Sequence, residues 1–95
     1  MKHVSLILVT ALALSLGSGT EAACYADYKA KRDNPLRLHY GVMELHNGCK
    51  KKSATREARQ RLKANGWVLL NVLSVFKENG LAKRQGSADR FFLRY

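Results

Sequence analysis

Residues 53–76, SATREARQRLKANGWVLLNVLSVF, join a helix to a strand, and that junction decides the fold. Residues 53–65 read as the helix. Ser53 or Thr55 is placed to cap its start, and Gly66 stands where a left-handed C-terminal cap is wanted. At helical spacing Ala54, Ala58 and Leu62 share one narrow stripe, and the small alanines let the helix lie close on a sheet. Arg56, Arg59 and Lys63 fall together on the opposite side. Residues 67–76 are apolar on both faces, interrupted only by Asn71 and Ser74. This composition fits a central strand covered on one face by the helix.

Upstream, residues 36–45 alternate. Leu36, Leu38, Tyr40 and Val42 take one face, and Arg37, His39, Gly41 and Met43 take the other, as in a half-buried strand. Asp33-Asn34-Pro35 is a turn before it, and His46-Asn47-Gly48 closes it. Residues 24–31 read as a short helical turn with Tyr25 and Tyr28 on one side. Downstream, residues 77–90 are polar and contain Asn79-Gly80 and Gly86-Ser87, so a short helix near 81–85 or a loop is expected. Residues 91–95 alternate as a last strand, antiparallel to the one before. The expected fold is α+β, a two-layer β-α-β-β arrangement of one main helix on a three-stranded sheet. The strand order is 1-2-3 or 1-3-2.

Residues 1–22 read as a cleavable signal peptide: a positive start at Lys2, an uncharged apolar run over 4–16, and small residues at Thr20 and Ala22 for the peptidase. The run is far shorter than the ~20 residues of a membrane-spanning helix. Glu21 sits where a lipoprotein signal wants a leucine-like residue. The expected product is periplasmic or secreted, starting at Ala23 or Cys24. It comprises an N-terminal segment (23–35) and a single small domain (36–95). Its two cysteines, Cys24 and Cys49, form an even count in an exported chain, which predicts a disulfide tethering that segment.

The leader carries Lys2 and Glu21, so the remaining 73 residues keep the full net charge of +10. A body this small and this basic attracts polyanions. The densest block holds Lys50, Lys51, Lys52, Arg56, Arg59, Arg61 and Lys63, opposed only by Glu57. Lys50, Lys51, Lys52, Arg56, Arg59 and Lys63 are therefore the candidate anion-binding residues, beside a helix N-terminus that itself favours anions. No aromatic residues interleave this block, so sequence-specific reading of nucleic acid is not expected.

The chemical motifs are weak. Ser74-x-x-Lys77 matches the nucleophile motif of penicillin-binding enzymes, but it lies on a strand in a body far too small for them. His46-x-x-Cys49, with His39, falls short of four metal ligands. His39 with Glu44, or Asp27 with Tyr28, has no spacing that marks an acid–base pair. No catalytic residues, cofactor or metal are expected. The leading expectation is a non-catalytic module that binds an anionic membrane surface, glycan or acidic protein. The alternatives are an accessory protein whose charge serves only solubility, and an enzyme with an unrecognised site.

Leu62-Lys63-Ala64-Asn65-Gly66-Trp67-Val68-Leu69, with Phe91-Phe92-Leu93-Arg94-Tyr95 later, resembles small bacterial domains of unknown function that share a Leu-x-x-x-Gly-Trp-x-Leu junction. The front of the chain, with Tyr25-Ala26-Asp27-Tyr28 and Leu36-Arg37-Leu38-His39-Tyr40, is similar to an exported proteobacterial branch of them. The resemblance implies the β-α-β-β fold and brings no catalytic residues.

Overall fold

A computed structural model of the chain describes residues 22–95. The signal peptide expected at 1–22 lies, up to residue 21, outside them. The elements are β1 (Cys24–Arg32), β2 (Arg37–Leu45), α1 (Lys51–Ala64), β3 (Val68–Lys77) and α2 (Ala82–Ala88). They form a three-stranded antiparallel sheet in the order β2-β1-β3, with two helices. The protein is α+β, but the element order is β-β-α-β-α. Among the described residues no helix is long and apolar enough to cross a membrane.

The central strand is β1, where the sequence suggests a helical turn. Cys24, Ala26, Tyr28 and Ala30 are buried against α1, while Tyr25 and Asp27 are buried on the other face. Tyr25 and Tyr28 therefore point to opposite faces. The period is two, and Tyr–x–x–Tyr spacing misleads because small alanines carry the buried positions. With β1 in the middle, β3 becomes an edge strand instead of the expected centre.

Both faces of β2 are buried around Val42, but at its hairpin end the facing is the reverse of what its leucines predict. His39, Gly41 and Met43 turn inward to α1, and Leu36 and Leu38 are exposed. Tyr28 explains this. It stands opposite Gly41, and a Cβ on that glycine would come within 2.4 Å of the Tyr28 hydroxyl. The bare glycine makes room for a fully buried ring.

α1 starts at Lys51 without a side-chain cap, so neither Ser53 nor Thr55 plays that part. Ser53 instead donates its hydroxyl back to the Lys50 carbonyl. The C-terminal end is as expected. Gly66 has φ 84°; its N–H bonds the Lys63 carbonyl, and the Trp67 N–H bonds the Leu62 carbonyl. This is a Schellman ending, with Leu62 and Trp67 in one core cluster as its hydrophobic clasp.

The expected strand over 91–95 does not form. A 3₁₀ turn (Asp89–Phe91) precedes a single parallel bridge from Phe92 to Val42. Phe91 and Tyr95 pack on the α1 side, and Phe92 packs on the α2 side. The segment straddles the outer edge of β2. α2 covers the second face only around Tyr25, Val42 and Phe76, leaving the hairpin end of that face open.

The disulfide joins Cys24 to Cys49, with Cα atoms 5.9 Å apart. It ties the start of the central strand to the loop before α1. Glu57 of α1 holds the same loop. Its buried carboxylate accepts the N–H groups of His46 and Asn47 and a 2.6 Å bond from Arg61.

Candidate anion-binding surface

The Schellman ending delivers Trp67 to the mouth of β3, where only 5% of it is exposed. Its indole N–H donates to the Tyr95 hydroxyl at 3.0 Å. The Arg32 guanidinium, at the end of β1, lies 4.0 Å above the Trp67 ring centroid. Below sits His39, 4.3 Å from Trp67 and 3.8 Å from Phe91 by ring centroids. Burial, helped by the positive charge of Arg32, pushes its pKa down to about 4. His39 is thus a neutral core ring, with Nε2 2.9 Å from the Tyr28 hydroxyl.

Over this aromatic floor opens a groove of about 260 Å³. Four arginines line it: Arg32 from β1, Arg37 from β2, and Arg90 and Arg94 from the C-terminal segment. Among the described residues no Asp or Glu side chain lines it. Asp33 and Asp89 are sequence neighbours of two of these arginines. Among the described residues, though, the ion pairs are Lys31–Asp33, Arg61–Glu57 and Arg84–Asp27, and none includes a groove arginine. Guanidinium groups sharing a groove without a counter-charge repel one another, and an anion between them removes that repulsion. Their planar forks suit phosphate, sulfate or carboxylate oxygens two at a time.

The six cations expected to form the site are all exposed, but they are divided along α1. Lys50, Lys51 and Lys52 stand at its start, beside Cys49. Arg59 and Lys63 stand at its end, lining a depression of about 270 Å³ with Trp67, Val68 and Leu69. Trp67 borders both hollows, so Arg59 and Lys63 continue the arginine groove while 50–52 lie about 10–20 Å away along the helix. Arg61, from the same block, turns inward and bonds Glu57 and the backbone oxygens of Glu44 and Tyr95. Arg32, Arg37, Arg90 and Arg94 carry no local signal in the sequence. The one available clue is that Arg37 shares the His39 face of its strand.

The two buried carboxylates, Asp27 and Glu57, are tied into the fold. Asp27 accepts from Tyr40 at 2.8 Å, Ser74 at 2.7 Å and Arg84 at 3.1 Å. Burial works to raise its pKa, but these bonds outweigh it and hold the carboxyl below its ordinary value. Ser74 of the Ser-x-x-Lys match is thus engaged with Asp27. Cys49 of the His46-x-x-Cys49 pair is in the disulfide. Among the described residues no group of three or more His, Cys, Asp and Glu side chains is arranged to hold a metal ion. Comparison with protein-family models, curated proteins and solved structures finds no match for this chain.

Proposed function

We propose that this chain is an exported, disulfide-bonded basic module that binds an anionic surface or partner. Its contact surface is the arginine groove beside Trp67, with Arg59 and Lys63 at the margin. The observation that carries this reading is the meeting of four arginines from three chain segments on one groove with no Asp or Glu side chain in its lining. Export is supported by the leader-like composition of 1–22 and by the Cys24–Cys49 bridge, which suits an oxidising compartment such as the periplasm. Binding is favoured over catalysis because the buried carboxylates, Asp27 and Glu57, are engaged with internal partners.

The test is binding to long-chain inorganic polyphosphate across a salt series. The logarithm of affinity should fall linearly with the logarithm of salt concentration, because binding releases counterions. Arg37→Gln/Arg94→Gln should weaken binding and make the slope shallower. Lys51→Gln/Lys52→Gln, at the far end of α1, should change it less. If the groove variant binds as wild type does, the site is elsewhere. If wild type binds no polyanion at low salt, the charge serves solubility alone.

A further inference from the structure

The hairpin end of the molecule carries a second feature beside the groove. Leu36 is 63% exposed, Leu38 65%, Val68 53% and Leu70 49%. Single exposed leucines are ordinary on protein surfaces, but Leu38, Val68 and Leu70 come together, with Leu36 one residue before β2. Lys31 pairs with Leu38 on one side and Val68 on the other, which puts an apolar–cation–apolar row across all three strands. Leu38 and Leu70 face each other over a shallow hollow of about 290 Å³ that Lys29 also lines. α2 packs at the opposite end of this face and leaves the row uncovered. Leu38 is also on the rim of the arginine groove, so the apolar row and the groove share a border.

We propose that this end docks on an anionic phospholipid bilayer, with Leu36 and Leu38 entering the acyl layer and the groove arginines on the phosphates. The inference rests on the anion-binding reading above and names its surface. Leucines interleaved with cations match a partner that is anionic outside and apolar just beneath. A soluble glycan or an acidic protein tail has no such layer to receive them. A second copy of this chain is disfavoured by charge, since pairing the two ends would bring Lys29, Lys31, Arg32 and Arg37 against their own copies. Asp33, beside these cations, is 3.4 Å from Lys31 and does not reverse the local charge. Amphipathic surfaces of this kind bind through buried apolar area together with attraction to anionic lipid.

The experiment is co-sedimentation of the purified protein with vesicles of phosphatidylglycerol and phosphatidylcholine, and with pure phosphatidylcholine, at low salt. Wild type should bind the anionic vesicles and not the neutral ones. Leu36→Ser/Leu70→Ser, neither of which lines the arginine groove, should lose about tenfold or more of that binding while keeping its affinity for polyphosphate. Both positions are exposed, so the fold should tolerate the change. In Leu36→Trp, a blue-shifted emission above the background of buried Trp67, quenched by lipids brominated high on the acyl chain, would report insertion. Equal vesicle binding by wild type and the serine variant would overturn insertion and leave the anion-binding reading intact. Loss of polyphosphate and vesicle binding together in wild type would remove that reading too. A dimer in sedimentation that the serine variant dissolves would assign the leucines to self-association and overturn the proposal.

Discussion

The imidazole of His39 lies flat against the ring of Phe91, with centroids 3.8 Å apart and planes 14° from parallel. This stack fastens the C-terminal segment to the sheet, and burial favours the neutral ring. In the unfolded chain His39 titrates near its ordinary 6.5; in the fold, burial and Arg32 lower this to about 4. The unfolded state therefore binds more protons between these values. Stability from this group is complete above pH 6.5 and is lost as pH falls towards 4, by up to roughly 3 kcal/mol. Urea midpoints measured from pH 7.5 to 4 should show the decline. His39→Phe should flatten it; an unchanged slope would place the titrating group elsewhere.

Glu57 should be the costliest surface-helix residue to remove. Burial tends to raise its pKa, but the backbone N–H groups of His46 and Asn47 and the Arg61 guanidinium outweigh that and hold it low. A lowered carboxylate stabilises above its unfolded pKa, and the contribution is lost as pH falls through the folded value. Glu57→Ala leaves two N–H groups and Arg61 without their acceptor, and should destabilise by about 3 kcal/mol at neutral pH. Arg61→Ala should cost less, because Glu57 keeps both backbone donors. Paired denaturation curves would show a reversed order if Arg61 were the organising residue.

Reducing the disulfide should destabilise by about 3 kcal/mol, the loop-closure effect for cysteines 25 positions apart. Cys24 opens the central strand, so the loss should be felt across the sheet and not confined to a frayed end. Hydrogen exchange of β1 amides, with and without reductant, checks this. Protection lost only near residues 22–25 would contradict it.

Two glycines should resist substitution for different reasons. Gly41→Ala collides with Tyr28 and should cost about 2 kcal/mol through strain in a full core. At Gly66 the nearest atom to an added Cβ is 3.9 Å away, so space is not the obstacle; φ is 84°. Gly66→Ala should cost about 1 kcal/mol, and Gly66→Asn less, since asparagine tolerates the left-handed region. Equal costs for alanine and asparagine at position 66 would argue against this account.

α1 and its Gly66-Trp67 ending were legible because helix stripes and C-terminal caps are local. β2 was legible as a strand from its alternation, but not its facing, because Leu38 outranks His39 by hydrophobicity and only tertiary structure sets Tyr28 over Gly41. β1 was missed for a related reason: Ala26 and Ala30 give little β signal, and the strand is defined by pairing with two distant segments. The α1 cations could be read from spacing. The groove arginines, at positions 32, 37, 90 and 94, meet only after the C-terminal segment wraps the β2 edge.

β3 bounds the sheet, and residues 68–76 bear no charge to discourage another strand from joining it. Against β1, however, Ser74 and Val72 pair with adjacent residues, as do Asn71 and Leu69, leaving Leu73 and Leu70 as insertions. Each bulge twists the strand and interrupts the even row of N–H and C=O groups that an incoming chain would need. A regular strand of this composition would be a template for fibre growth. Two surplus leucines, greasy by themselves, make the edge a poor one, so deleting Leu70 and Leu73 should produce a smoother sheet and a protein that polymerises.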